Sequence, residues 1–176
     1  MPEIILRRAG PADAERLAQL GLQTFRETFL EGFAIPYPAA DLEAFLAANY
    51  TPAVFERKLA DPLQATWIAE GDGGALAYAN AGPCHLPHPD VRPGHLELNR
   101  LYVLCFAQGL GLGRRLLDTA LDWMEEQGPG PLWLGVWSGN LKAQSLYARR
   151  GFRRVGDYEF PVGEWRDHEF IFRRGD

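Results

Sequence analysis

Residues 108–113 read Gln-Gly-Leu-Gly-Leu-Gly, with an apolar extended run at 96–104 before them and an amphipathic run at 114–127 after them. Alternating glycines remove Cβ atoms where a backbone must turn sharply, and they leave successive N–H groups uncovered at the start of a helix. An anion fits there, because unpaired N–H groups and the helix dipole both direct positive charge at it. The chemistry indicated is phosphate binding. Spacing then separates the loops of this kind. A dinucleotide fingerprint places glycines first, third and sixth, but the sixth position counted from Gly109 is Arg114, and the place of its acidic ribose ligand, about 20 residues on, holds Gly128-Pro129-Gly130-Pro131. A P-loop requires Gly-Lys-Ser/Thr, and Gly113 is followed by Arg114-Arg115. Both nucleotide readings fall.

The elements that must position this turn follow from periodicity and punctuation. A strand is expected at 4–8, stopped by Ala9-Gly10-Pro11, and then a helix whose first turn carries Asp13 and Glu15 and which runs toward Phe29. Ile35-Pro36-Tyr37-Pro38 is a rigid connector, followed by short helices near 41–49 and 51–60. Strands at 65–70 and 75–81 flank Gly71-Asp72-Gly73-Gly74, a hairpin signal. The stretch 82–94 carries four prolines and reads as a loop. The strand at 96–103 leads into the glycine turn, and its helix spaces Leu112, Leu116, Ala120 and Met124 four apart before ending at Gly128. Residues 132–137 are apolar without alternation, as in a strand covered on both faces. Asn140 suits the N-cap of a helix over 141–150 that ends at Gly151, and two strands at 153–160 and 165–172 close the chain through Pro161-Val162-Gly163. With no internal repeat or linker, this order predicts one mixed α/β domain over residues 1–176.

Composition narrows the partners. The formal charge is -5, from 23 Asp and Glu against 18 Lys and Arg, which argues against nucleic acid and mildly favours cationic ligands. No run approaches the ~20 apolar residues of a membrane span, so no membrane partner and a cytoplasmic location are expected. Cys84 and Cys105 are read as reduced thiols. His85-x-x-His88 has no third ligand nearby in a proline-limited loop, so no metal is expected.

At Gln108-x-x-Gly111-x-Gly113, behind a strand ending Leu101-Tyr102-Val103, the chain resembles the GNAT superfamily of N-acetyltransferases, whose Gln/Arg-x-x-Gly-x-Gly/Ala turn holds the pyrophosphate of acetyl-CoA. A second block, Asn140-x-x-Ala143-x-x-x-Tyr147-x-x-x-Gly151-Phe152, is similar to the segment that lies along the other side of the coenzyme. The runs at 96–103 and 134–137, together with Phe160-Pro161-Val162-Gly163 near Asp167, resemble the PaiA-like polyamine acetyltransferases. The chain departs from that pattern at Cys105, Ala107 and Leu110, where Pro, an aromatic and a polar residue are usual.

The resemblance implies a mostly antiparallel central sheet flanked by helices, with splayed central strands holding acetyl-CoA as cosubstrate. It implies acetyl transfer to a primary amine of a small molecule, a polyamine foremost, by direct attack in a ternary complex. An amino acid, a peptide N-terminus or an antibiotic stays open as acceptor, as does a CoA-binding sensor without turnover; a homodimer fits by frequency. The coenzyme contacts implied are Leu101, Val103, Gln108, Gly109, Leu110, Gly111, Leu112, Gly113, Arg114, Asn140, Ala143 and Tyr147. The Val103 N–H would receive the developing oxyanion, and Tyr147 would protonate the departing thiolate. Glu97 would be the base. It lies six residues before Val103 and so on the same face of an unbroken strand. An amine of pKa ~10.4 donating to a carboxylate of ~4.3 is uphill by about 8 kcal/mol, so Glu97 must be raised by burial or act through water. For a polyamine, Glu27, Glu31 and Asp41 are the further carboxylates expected near the aromatic-rich helices.

Overall fold

The computed structural model of the chain describes residues 3–176. β1 (Ile5–Arg8) leads through a 3-10 turn into α1 (Ala14–Phe25), which continues without a break as a π-helix over Arg26–Gly32. α2 (Ala39–Asn49) and α3 (Pro52–Ala60) follow, then β2 (Ala65–Gly71), β3 (Gly74–Pro83) and β4 (Leu96–Val103). The glycine turn opens α4 (Leu112–Glu126), and β5 (Leu132–Trp137), α5 (Leu141–Ala148), β6 (Arg153–Val162) and β7 (Trp165–Arg174) complete the chain. All seven strands form one sheet in the order β1-β2-β3-β4-β5-β7-β6. Every neighbouring pair is antiparallel except β4 and β5.

That exception organises the molecule. β4 and β5 pair at only three positions, Leu96↔Leu132, Glu97↔Trp133 and Leu98↔Leu134, and then diverge. The divergence begins at a bulge: Asn80 of β3 faces Arg100 and Ala81 faces Leu98, so Asn99 is an extra residue in β4. An inserted residue bends its strand and sharpens the local twist, and here it turns the last residues of β4 away from β5. The sheet is thus two leaves, β1–β4 and β5–β7–β6, joined over a three-residue seam with a wedge beyond it.

Helices cover both faces. Leu112, Leu116, Leu117, Ala120 and Met124 of α4 are all buried, and Val103 faces this helix, its Cγ2 standing 3.8 Å from where a Gly113 Cβ would be. On the other face Arg100 lies over the Tyr50 ring at 4.5 Å and the Phe55 ring at 5.8 Å, beneath α3. Aromatics of α1, the π-helix and α2 pack there as a connected group, with Phe25 against Phe29, Tyr37, Phe45 and Tyr50.

Element types and order match the expectation, and the differences have local causes. The first helix changes to π geometry where it was expected to run on as α, ending at Phe33 and at Ala34, whose φ of 52° is left-handed. β6 continues through Pro161 and Val162, so the turn lies at Gly163 and Glu164. A proline is tolerated there because β6 is an edge strand and its missing N–H leaves no ladder bond unmade. β3 likewise reaches Pro83, and α5 stops at Ala148 rather than at Arg150. No helix among the described residues is long and apolar enough to cross a membrane.

Candidate active site

The wedge exposes backbone groups that an ordinary sheet would consume. The Leu104 N–H donates to the Leu76 carbonyl at 2.9 Å, so alternation along the antiparallel pair aims the N–H and C=O of Val103 and Leu101 away from β3 and into the wedge. On the opposite rim the Ser138 N–H donates to the His168 carbonyl at 3.0 Å, which by the same alternation aims Trp137 and Gly135 toward β4. Both rims are anchored by amide side chains. Gln108 Nε2 donates to the Val103 carbonyl at 3.4 Å, and Gln144 Nε2 to the Trp137 carbonyl at 3.3 Å.

The glycine turn stands at the end of the β4 rim. Gly109 and Gly111 have φ of 84° and 76°, the left-handed region in which only glycine is free of strain. Gly113 is different: it lies in the first turn of α4, where an added Cβ would meet nothing nearer than Val103. The first N–H to find a carbonyl one helical turn back is that of Arg115, on Gly111 at 3.1 Å. The N–H groups of Gly109 to Arg114 precede that bond, which is the arrangement an anion requires at a helix start. Leu110 is 52% exposed at the tip of the turn.

α5 is tied to this turn near its start, and the residues just past its end are tied to α4. Lys142 Nζ donates to Gln108 Oε1 at 3.3 Å, and Arg150 Nε pairs with Asp118 of α4 at 2.6 Å. Asn140 Oδ1 accepts from the Ala143 N–H at 3.1 Å, the expected N-cap. Replacing Asn140 with Ala is expected to cost about 1 kcal/mol of stability, read as a lower urea midpoint at unchanged slope. Tyr147 is 7% exposed, 6.2 Å from the Phe152 ring centroid. Burial, and then the Glu169 carboxylate, push its phenol above the ordinary tyrosine range.

The other face of the wedge carries carboxylates, though not the set expected. The bulge at Asn99 breaks the parity argument for Glu97. Its side chain shares a face with Arg100 and Tyr102, whereas the Val103 side chain points to α4. There Glu97 Oε1 accepts from the His85 N–H at 3.0 Å, and burial raises its pKa. Glu27 and Glu31 line one pocket with Gln23 and Arg26, and Asp41 does not join them. Glu27 caps the Cys105 N–H at 2.7 Å, Asp41 accepts from the Glu164 N–H at 2.8 Å, and Glu31 lies on the exposed side of the π-helix. In their place β7 brings two carboxylates. Asp167 accepts from Tyr37 at 2.5 Å and from Trp165 Nε1 at 2.9 Å, while Glu169 accepts from the Tyr158 hydroxyl at 2.8 Å. Burial, above all, pushes the Glu169 carboxyl up to about 7. Gly135, inside an apolar strand, was the available sign of this cluster, since a strand glycine often marks a close approach. A Cβ there would stand 2.7 Å from the Tyr158 hydroxyl.

Cys105 is exposed, and its thiol is raised by partial desolvation and by Glu27, the opposite of an activated nucleophile. Among the described residues no group of three or more His, Cys, Asp or Glu side chains is placed to hold a metal ion.

A splayed parallel pair, a glycine turn at its end and a capped helix alongside are the parts by which acetyl-CoA enzymes of one family are known, and the acetyltransferase (GNAT) family profile matches residues 22–152. The chain belongs to the GNAT acetyltransferase family. It is accordingly an acetyl-CoA-dependent N-acetyltransferase. Among its relatives, an N-acetyltransferase of Mycobacterium bovis is 33% identical over 168 residues, covering 92% of this chain and 97% of the relative. The N-alpha-acetyltransferase RimI of Mycobacterium tuberculosis is 36% identical over 120 residues, covering 66% of this chain and 72% of RimI. Among solved structures, the PaiA N-acetyltransferase of Thermoplasma acidophilum in complex with coenzyme A superposes with a TM-score of 0.75 at 18% identity, covering 99% of both chains. At that identity the likeness is one of fold.

Proposed function

We propose that this GNAT enzyme acetylates a primary amine of a small molecule, with a polyamine as acceptor, by direct attack on acetyl-CoA within a ternary complex, and that residues 1–176 work as one domain. The observation that carries the reading is the carboxylate face: Glu169 on Tyr158 and opposite Trp137, Asp167 on Tyr37 and Trp165, and Glu97, raised by burial like Glu169, beside His85 and within electrostatic range of Tyr158. The groups that act on Glu169 include two further carboxylates and no cation. Such a site draws a cationic amine, and a second ammonium on the same molecule suits the second carboxylate.

Each step has a group to serve it. The Val103 N–H, aimed into the wedge, receives the oxyanion as the thioester carbonyl is attacked. The pyrophosphate takes the N–H groups of Gly109 to Arg114, with Leu101, Gln108, Leu110, Leu112, Asn140 and Ala143 lining the coenzyme's path. Tyr147 donates to the leaving sulfur. Glu97 takes the amine's proton at one remove, through an intervening carrier, because its carboxylate lies opposite Trp133, before the wedge opens. A second reading, an α-amine of a peptide as acceptor, is favoured by the 36% identity to RimI. An amine of pKa ~8 would ask less of the carboxylates.

The test is release of free thiol from acetyl-CoA over a panel of polyamines, amino acids, peptides and aminoglycosides, with controls lacking acceptor or enzyme. Release confined to polyamines is expected. Release with peptides alone would replace the acceptor, and release with none, despite measured acetyl-CoA binding, would replace acyl transfer by sensing.

A further inference from the structure

The two strands last pair at Leu98↔Leu134, so Gly135 is the first β5 residue at the mouth of the wedge. On the carboxylate face that position has no side chain. A Cβ there would stand 2.7 Å from the Tyr158 hydroxyl and 3.2 Å from Glu169 Oε2. The carboxylate of Glu169 therefore rests directly on the Gly135 backbone. Its own residue pairs with Trp137, the last residue of β5, one more step into the open part. Glu97 lies on the near side of the mouth, opposite Trp133, with Oε1 engaged by the His85 N–H. Glu169 is the one charged group that acts on the Tyr147 phenol. Glu169 thus lies within electrostatic range of that phenol.

We propose that Glu169 is the carboxylate that meets the acceptor amine and takes its proton, with Tyr158 fixing its orientation and Gly135 clearing the space it occupies. The inference rests on the acyl-transfer reading above and supplies the carrier between the amine and Glu97. A bound ammonium gives one proton to Glu169 Oε1, the oxygen Tyr158 leaves free. The freed nitrogen lone pair forms the C–N bond while the C–S bond breaks and its electrons leave on sulfur. Sulfur takes the Tyr147 proton, and the second proton lost by the nitrogen restores Tyr147. The proton on Glu169 passes by way of Glu97 to solvent, so one proton is released per acetyl transferred.

The groups facing Glu169 fix the sign of its pH dependence. They are Tyr158 on β6, Asp167 on β7 and Glu97 on β4, with the phenols of Tyr37, Tyr102 and Tyr147 in electrostatic range. Burial raises the carboxyl first, Asp167 and Glu97 raise it further, and the Tyr158 hydrogen bond alone lowers it, to a net value of about 7. A base must be unprotonated to act, so kcat/KM of the free enzyme rises with pH through that value. The same raised carboxyl binds its proton more tightly folded than unfolded. Its stabilising contribution is therefore present below the usual carboxylate range and is lost as pH rises toward 7.

The experiment compares wild type with Glu169→Gln, Tyr158→Phe, Glu97→Gln and Gly135→Ala, using the amine that wild type acetylates best, over pH 5 to 9. Acetyl-CoA affinity is measured by calorimetry and the melting temperature recorded at each pH. For Glu169→Gln a roughly 10²- to 10³-fold fall in kcat/KM is expected, with the rise through neutrality gone and acetyl-CoA affinity kept. Its melting temperature relative to wild type should climb between pH 5 and 8. Tyr158→Phe should move the rise to higher pH. Gly135→Ala, which leaves every ionisable group in place, should lower kcat more than it alters acetyl-CoA binding. A Glu169→Gln enzyme that keeps the wild-type rise, with Glu97→Gln losing it, would overturn the assignment and make Glu97 the direct base. A wild type silent on every amine would overturn the acyl-transfer reading, and this inference with it.

Discussion

Replacing Tyr147 with Phe is expected to lower kcat by roughly 10² to 10⁴, the usual scale for a lost general acid, with acetyl-CoA affinity within a few-fold of wild type. The size follows from what the hydroxyl must do. Even an unshifted phenol near pKa ~10 gives its proton to a thiolate near ~8.5 only at a cost of about 2 kcal/mol. Burial has moved Tyr147 further in the unfavourable direction. In the proposed role the hydroxyl therefore serves as a donor whose hydrogen bond strengthens while charge gathers on sulfur, not by a completed transfer ahead of bond cleavage. Phe keeps the ring packed 6.2 Å from Phe152, so the fold should persist. Single-turnover rates beside a calorimetric Kd separate the two terms, and an unchanged rate would remove the role.

The second large effect belongs to the turn. Alanine at Gly109 and Gly111 together should weaken acetyl-CoA binding by roughly thirty- to several-hundred-fold. Each must hold a left-handed backbone, which costs a non-glycine residue about 1–2 kcal/mol, and 1.4 kcal/mol is about tenfold in Kd. The added methyl groups touch no protein atom within 4 Å, so the loss is conformational and not steric. Gly113→Ala is the contrast. Its helical position gains about 0.5–1 kcal/mol from the change, so its melting temperature should rise while that of the double variant falls. A double variant that melts lower yet binds acetyl-CoA as wild type does would show that the turn keeps its shape and that the strain falls on folding alone.

The parts of this enzyme legible in sequence are those written in local spacing. Gln108 to Gly113 announce a turn, Asn140 a cap and the run at 132–137 a covered strand, because each is decided by residues within a few positions of one another. The bulge at Asn99 is not of this kind. Leu-Glu-Leu-Asn-Arg alternates well enough for an unbroken strand, and only the register with β3 inserts the extra residue that moves Glu97 to the other face. Glu169 escaped for a similar reason. In Trp-Arg-Asp-His-Glu-Phe it looks like a solvated strand charge, and it acquires its place from pairing opposite Trp137 and from the missing side chain of Gly135, 34 positions away (169 − 135). Glu27 and Glu31 were expected only near the aromatic-rich helices, and where their carboxylates point is decided by the change to π geometry at Arg26, which no local spacing announces.

The three-residue seam couples catalysis to the thermodynamics of folding. Beyond Leu98↔Leu134 no ladder joins the leaves, and the polar cross-ties from the α5 segment to the glycine turn and to α4 are a lysine amide contact and one part-buried, two-pronged Arg150–Asp118 pair. A cosubstrate seated in the wedge, as proposed above, would touch both leaves at once, and whatever binds only the folded state adds its free energy to folding, about 4 kcal/mol at a thousand times Kd. That sum is of the same order as the whole stability of an ordinary domain. The cellular level of acetyl-CoA would then set how often the leaves part, making the abundance of the enzyme, and not only its rate, a function of the cosubstrate it consumes.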